Sequence, residues 1–338
     1  MLSTLYAAIA RRRREFYAAR PDLRRRLRRP VISVGNIAVG GRGKTPTVAS
    51  IARSLLTLGE RPAILSRGYA RRRADDGVVV VRDPGGIRAD LDRSGDEPLM
   101  LARQLHGVSI LSSSDRYLAG CLAEHHLGAT VHILDDGFQH LQLDRDIDLV
   151  IVSGDDLEAN ARTLPSGRLR EPPDTLLAAD AVLAADDRVL SLGPTPRHAP
   201  FEVFRMRRAM GAPTSGAHAG GQGSAVRSLA IAGIARPEQF FDGLRAAGHE
   251  LMRTMVVGDH HRYSRADVDR MFRDARAAGA DQVLTTEKDY VRLLPFRPFP
   301  MPVLWVPLTM EPEPLPEFRR WLTVALAGAR DLWPQPVD

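Results

Sequence analysis

Cysteine is almost missing: Cys121 is the one thiol in 338 residues, so the chain can hold no internal disulfide framework and suits a reducing compartment. Flanked by Ala119, Leu122 and Ala123, that thiol reads as a small buried hydrophobe. Internal repeats are missing as well. So is a general basic excess, despite a net charge of +6. Ten arginines against Glu15 and Asp22 make residues 1–29 strongly basic, whereas residues 30–338 carry 37 Lys/Arg against 39 Asp/Glu. A basic groove able to neutralise several phosphates of a duplex therefore has no compositional support. The apolar and charged fractions, 44% and 26%, are those of an ordinary globular protein, which excludes fibrous and wholly disordered classes. The length allows a large core and a second, smaller domain.

The basic N-terminal segment has a second property. On a helical wheel Leu2, Leu5, Ile9, Phe16, Leu23 and Leu27 fall within about 60° of one another. Pro21 must interrupt the helix, which predicts a first stretch over residues 2–19. An apolar stripe beside the Arg11–Arg14 run suits a helix lying in the headgroup region of an anionic membrane. The segment is too short and too charged to span a bilayer, and it lacks the apolar core and small-residue cleavage site of a signal peptide. The plainer alternative is a basic helix docked on the protein's own core.

Beyond Arg29 the pattern alternates. Strands are predicted at 30–34, 62–66, 78–81, 108–111, 131–134 and 147–152, with helices at 47–59, 98–105 and 116–126 between them. Such alternation indicates an α/β fold with a doubly wound, mostly parallel sheet. Residues 211–227, rich in glycine, serine and alanine, read as a flexible loop or linker. After it come a strand at 228–232, helices at 237–247 and 267–277, and a strand at 282–285. The predicted division is thus a basic helical segment (1–29), a core (30–210), a linker (211–227) and a smaller C-terminal α/β domain (228–330).

Between the strand at 31–34 and the following helix stands Ala38-Val39-Gly40-Gly41-Arg42-Gly43-Lys44-Thr45. Glycines let backbone N–H groups point inward at phosphate, Lys44 can reach the terminal phosphates, and the Thr45 hydroxyl can meet Mg²⁺. Ala38 occupies the place of the first glycine in the strict G-x-x-x-x-G-K-[ST] form, and Gly40 and Gly41 offer turn freedom instead. Such a loop needs an acidic partner at a neighbouring strand end, and Val131-His132-Ile133-Leu134-Asp135-Asp136 supplies two carboxylates there.

Three further clusters carry chemistry. Ser94-Gly95-Asp96-Glu97-Pro98 sets two carboxylates at a helix entry, where one could take a proton and the other approach a metal; ordinary first-turn acidity is the alternative. Gly258-Asp259-His260-His261 precedes a helix start at Ser264, and adjacent histidines lack the spacing of a zinc pair. Gly167-Arg168-Leu169-Arg170-Glu171 could clamp a phosphate or form surface ion pairs.

These clusters occur together, in order, in a chain that resembles the tetraacyldisaccharide 4'-kinase family. The resemblance rests on Val34-Gly35-Asn36 leading into Gly40–Pro46, then Ser66-Arg67-Gly68-Tyr69, Gly95–Pro98, Asp115-Arg116, and the specific block Asp135-Asp136-Gly137-Phe138-Gln139-His140. Leu169-Arg170-Glu171, Asp259-His260-His261 and Thr286-Glu287-Lys288-Asp289 complete it. It runs from the N-terminal helix to about residue 306. It implies a P-loop NTPase-like fold and transfer of the γ-phosphate of ATP, with Mg²⁺, to the 4'-hydroxyl of an acylated glucosamine disaccharide 1-phosphate at the cytoplasmic face of a Gram-negative inner membrane. It also implies roles: Asp96 as base with His260 as its partner and Lys44 on the transferring phosphoryl. Thr45, Glu97, Asp135 and Asp136 fall at the metal. Arg67, Tyr69, Arg116, Gln139, His140, Arg170 and Glu171 fall at the substrate or its phosphates. The N-terminal helix becomes a membrane-surface anchor; neither a nucleic acid nor an obligate protein partner is implied.

Two other readings compete. A P-loop GTPase or metallochaperone would want an [NT]-K-x-D motif, and Thr286-Glu287-Lys288-Asp289 has its letters in the wrong order. A nucleic-acid-stimulated ATPase would have to rely on the short basic arm alone.

Overall fold

The computed structural model describes residues 2–41, 43–69, 71, 77–192, 201–215 and 226–331. Arg42 and most of the anticipated linker, residues 216–225, lie outside the described residues. In chain order the helices are α1 (Leu2–Ala19), α2 (Lys44–Thr57), α3 (Leu91–Ser94), α4 (Asp96–Gln104), α5 (Arg116–His126), α6 (Gly154–Leu157), α7 (Arg188–Leu192), α8 (Pro237–Ala246), α9 (Arg265–Ala277), α10 (Glu287–Leu293) and α11 (Leu315–Asp331). The strands are β1 (Val31–Asn36), β2 (Pro62–Ser66), β3 (Val79–Asp83), β4 (Gly86–Ile87), β5 (Ser109–Ser112), β6 (Val131–Asp135) and β7 (Ile147–Val152). They continue with β8 (Ala181–Ala184), β9 (Glu202–Met210), β10 (Ser228–Ala232), β11 (Leu251–Val256), β12 (Gln282–Thr286), β13 (Val303–Val306) and β14 (Leu308–Glu313).

Ten strands form one sheet in the order β14-β9-β8-β7-β1-β6-β2-β5-β3-β4. From β9 through β5 every described pairing is parallel, and β3 and β4 close that edge antiparallel. Strand β1 is central, and all six of its residues are buried, as expected of a parallel strand covered on both faces. Its register aligns Val34 with Asp135 of β6. The chain leaving β1 and the carboxylates ending β6 therefore emerge side by side at the carboxyl edge, where open α/β sheets place their ligands.

A second sheet, β11-β10-β12-β13, is wholly parallel. The chain divides into two compact units, Met1–Arg208 with Met310–Asp338, and Ala209–Thr309. The division predicted from sequence differs at the C-terminus, since it places residues 310–330 in the smaller domain. Instead β14 joins β9 in the large sheet, and α11 buries Phe318 and Leu322, with the Phe318 ring edge-on to Phe204 of β9 at 5.1 Å. An amphipathic period in α11 announces a buried face without naming what covers it.

The N-terminal segment needs a similar correction. Helix α1 spans the predicted residues and buries none of them; Leu2, Leu5, Ile9 and Phe16 stay exposed, as does Leu23. Leu27 leaves the stripe: it is 1% exposed, packs with Ala119 and Ala123, and fills the space beside Gly120, where an added Cβ would come 2.2 Å from Leu27 Cδ1. The helix ends at Ala19, so a wheel drawn through residue 27 no longer describes the backbone. Among the described residues no helix is long and apolar enough to cross a membrane.

Candidate active site

The loop after β1 is built on two left-handed glycines, Gly40 (φ 105°) and Gly43 (φ 79°), the second being the N-cap of α2. A side chain at either would be strained. Ala38 has no need of that freedom: it is fully buried and forms an antiparallel bridge with Leu169, which explains why the first glycine of the strict motif is dispensable here. Next to it Val39 N–H donates to the Arg168 carbonyl at 2.8 Å, and the Arg168 guanidinium donates to the Val39 carbonyl at 3.2 Å. The segment around 168–170 is thus the second wall of the loop, and Arg168 braces backbone.

Lys44 and Thr45 open α2, whose N-terminus carries partial positive charge. Lys44 Nζ lies 3.4 Å from Asn36 Oδ1 and 3.6 Å from Asp136 Oδ1. Asp136 adopts a left-handed backbone (φ 57°), which turns the chain out of β6 and aims its carboxylate at the loop. Arg170 grips both carboxylate oxygens from one nitrogen, at 2.9 and 2.8 Å, and reaches Gln139 Oε1 at 3.4 Å. Gln139 in turn donates to the Asn36 carbonyl at 3.0 Å. Lys44, Asp136, Gln139 and Arg170, four side chains from three separate sequence motifs, form one connected cluster.

Electrostatics divide the two strand-end carboxylates. Burial raises the Asp135 carboxyl, and the charges of Glu97 and Asp136 raise it further against Lys44 and Arg116, to about 7. Burial pushes Asp136 the same way, but Lys44 and Arg170 outweigh it and hold that group below the usual carboxylate range. Neighbouring acids in one site so take up different protonation states. Arg116, at the start of α5, is 6% exposed. Burial lowers its basicity, with Asp135 opposing and Arg67 adding to the effect. His140 is pushed down to about 4 by burial and by Arg116, Arg145 and Arg13, so it is neutral at physiological pH.

Asp96 and Glu97 form the first turn of α4 behind Gly95 (φ 85°). A Cβ at Gly95 would approach the Tyr69 carbonyl at 2.7 Å, and one at Gly68 would overlap Ser112 Oγ; these two glycines let the Arg67–Tyr69 loop lie against the entry of α4. Asp96 is 4% exposed and accepts from Glu97 N–H at 3.0 Å. Arg67 and Tyr69 are exposed. Glu171 is buried and accepts from Arg14 at 2.6 Å, so its carboxylate is engaged from the side of α1.

In the smaller unit, His260 also has a left-handed backbone (φ 57°). Lys288 Nζ lies 2.9 Å from His260 Nε2 and 3.3 Å from Asp259 Oδ1. The next residue, Asp289, is fully buried and accepts from Gly233 N–H, the Tyr263 hydroxyl, the Thr286 hydroxyl and Arg292. His261 turns instead to Asp267 at 3.3 Å, the carboxylate that closes the Ser264 capping box of α9.

Asn36 and Arg14 contribute here in ways that residue-type reasoning did not assign: Asn36 follows a recognisable strand, a usable signal, whereas nothing local shows that Arg14, read as part of a basic run, turns inward. Buried donors also stand unpartnered at this edge among the described residues, Asn36 Nδ2 and Arg116 Nε. Such groups are costly unless a ligand or water satisfies them. Unpaired buried donors, a glycine-built loop at a helix N-terminus and a lysine suit a polyphosphate. The buried acids suit a divalent cation that would relieve their mutual repulsion. Among the described residues no three His, Cys, Asp or Glu side chains converge as a cage.

Fold and site define a P-loop NTPase-like kinase. A family model described as tetraacyldisaccharide-1-P 4'-kinase matches residues 1–327, and the chain belongs to that family. A tetraacyldisaccharide 4'-kinase of Geobacter metallireducens is 39% identical over 303 residues, covering 87% of this chain and 88% of the relative. One from Geobacter sulfurreducens is 39% identical over 324 residues, covering 93% and 89%. The crystal structure of an LpxK from Aquifex aeolicus in complex with ATP is similar with a TM-score of 0.76 and 29% identity, over 96% of this chain and 97% of that one.

Proposed function

We propose that the protein transfers the γ-phosphate of ATP to the 4'-hydroxyl of a tetraacylated glucosamine disaccharide 1-phosphate, a late step of lipid A biosynthesis. The observation that carries this reading is the Lys44–Asp136–Arg170 cluster beside a glycine loop at the carboxyl edge of a parallel sheet, within a chain of this family. The amides of Gly40, Gly41, Gly43, Lys44 and Thr45 cradle the phosphates, with Val39 N–H held by the Arg168 carbonyl, and Lys44 follows the transferring phosphoryl as its charge spreads in a loose transition state. Thr45, Glu97, Asp135 and Asp136 hold Mg²⁺, which when bound neutralises charge on the phosphate oxygens. Arg116 and Arg170 contact phosphate. Arg67, Tyr69, Gln139 and neutral His140 face the acceptor sugar phosphate. Asp96 orients the attacking hydroxyl and accepts its proton late, with His260 as its partner.

The acceptor's acyl chains stay in a bilayer, so the exposed stripe of Leu2, Leu5, Ile9 and Phe16 rests on the anionic cytoplasmic face of the inner membrane. The deciding experiment is transfer of labelled phosphate from ATP to a lipid extract, with the phosphorylated product identified by mass spectrometry. Label appearing at a position other than the 4'-hydroxyl, or transfer from GTP as fast as from ATP, would replace this reading.

A further inference from the structure

The Arg11–Arg14 run has been read as lipid-facing charge, yet three of its four side chains turn toward the protein. Arg11 pairs with Asp174 at 2.9 Å, and Arg13 donates to the Gln139 carbonyl at 3.1 Å. Arg14 does most. Its guanidinium lies 4.2 Å from the centre of the Phe138 ring and donates to the Phe138 carbonyl at 3.2 Å and to Glu171 Oε2 at 2.6 Å. Its side chain is 14% exposed and that of Glu171 4%, so this is a desolvated pair on a helix that otherwise buries nothing.

The two groups that Arg14 joins flank the nucleotide cluster. Phe138 stands two residues after Asp136, and its ring is fully buried over Gly35 of β1, where an added Cβ would meet Phe138 Cβ at 2.5 Å. Glu171 directly follows Arg170, whose backbone N–H is tied to the Ile37 carbonyl at 2.6 Å. Arg170 and Asp136 in turn hold each other. Arg14 therefore fastens the turn that presents Asp136 to the strap that presents Arg170, and Arg13 fastens the same turn one residue further on.

We infer that Arg14 is a positioning residue for the Asp136–Arg170 pair, so that the N-terminal helix is a working part of the nucleotide site and not only an attachment to lipid. The inference rests on the reading of Asp136 as a metal–nucleotide ligand. Physically, a guanidinium stacked on an aromatic face and paired with a buried carboxylate has little freedom. Removing it frees the Phe138–Gln139 turn and leaves the buried Glu171 carboxylate without its guanidinium partner.

The test is Mg–ATP binding by titration calorimetry on the full chain without lipid vesicles. Arg14→Ala should raise the Kd for Mg–ATP about tenfold, a typical size for loosening one link in a packed chain of contacts. Because Arg14→Ala strands a buried carboxylate and could cost folding, the double variant Arg14→Met/Glu171→Gln removes both charges together and should show the same loss. Arg14→Lys, which keeps the charge on Glu171, should recover part of the affinity. In turnover the loss should fall on the KM for ATP, with kcat at saturating Mg–ATP close to that of the unaltered protein. Arg20→Ala, the same change of charge on an arginine paired with Asp22, should leave binding unchanged. A folded double variant that binds Mg–ATP as the unaltered protein does overturns the inference. Asp136→Asn in the same series separates the causes: weakened Asp136→Asn beside an unaffected double variant removes the role of Arg14 alone, whereas unaffected Asp136→Asn removes the metal–nucleotide reading and this inference with it.

Discussion

Lys288 Nζ stands 2.9 Å from His260 Nε2. An ammonium has only donors, so Nε2 must accept and the ring proton resides on Nδ1. Asp259, bonded to the His260 backbone N–H at 3.0 Å and to Lys288 at 3.3 Å, completes a bracket around a residue held in a left-handed conformation. If Asp96 and His260 act as a pair, Asp96→Ala should lower kcat by roughly 10²-fold or more with little change in the KM for ATP. His260→Ala should act in the same direction, and the double variant should be little worse than Asp96→Ala alone. Losses that multiply in full would separate the two residues. Lys288→Met should release the ring tautomer, which the ¹⁵N shifts of His260 report directly.

On the proposed reading Lys44→Ala and Thr45→Ala should each cut turnover by roughly 10²-fold or more, since one removes charge at the transferring phosphoryl and the other a Mg²⁺ ligand. Initial rates with ATP and the tetraacylated disaccharide 1-phosphate are the measure. Near-normal rates in either variant would take the loop out of the mechanism.

Asp135, raised to about 7, makes a signed prediction about pH. A carboxyl whose pKa is higher folded than unfolded stabilises the fold fully below its unfolded value, and that contribution is lost as pH rises through the folded value. The ligand-free protein should therefore lose stability between about pH 4 and about pH 7 from this group, while Mg²⁺, which needs the ionised form, should bind more tightly across the upper part of that range. Asp135→Asn should flatten the first trend and abolish the second. Thermal melts and Mg²⁺ titrations at pH 5, 6, 7 and 8 check both, and a melting difference that does not grow with pH would refute the assignment.

Gly35 is closed to any side chain, because an added Cβ would meet Phe138 Cβ at 2.5 Å and Phe138 N at 2.8 Å. Gly35→Ala should cost about 1–3 kcal/mol of stability by overpacking, read as a fall in the urea midpoint, and should weaken Mg–ATP binding because the displaced turn carries Asp136. A variant as stable as the parent would show that the turn can move freely.

Replacing Leu5 and Ile9, 59% and 60% exposed, by serine should weaken sedimentation with anionic vesicles and leave the melting temperature in place. Unchanged vesicle binding would assign the stripe another partner.

Much of this protein was legible before folding because its signals are local. The strand, glycine loop and helix around Lys44 sit within 27 consecutive residues from Val31 to Thr57, and the acidic end of β6 follows directly from an apolar run. A buried parallel strand and a helix start each have a sequence signature that needs no knowledge of the rest of the chain. Asp259–His261 was visible in the same way, as a cluster, but its division of labour was not: His260 faces Lys288 and His261 faces Asp267, pairings 28 and 6 residues apart.

Periodicity tells which face of a segment is apolar, never what covers it. Only the tertiary structure could return α11 to the large sheet, withdraw Leu27 from the stripe into the space over Gly120, and turn Arg14 inward to Phe138 and Glu171 while Leu5 and Ile9 stay outside. The protonation of Asp135 belongs there too, since beyond burial and the adjacent Asp136 it depends on Glu97, Lys44 and Arg116 arriving from three separate stretches of chain. Sequence by itself marked which residues are candidates for phosphate and metal. The fold decided which of them meet, because charge and burial act through space and not along the chain.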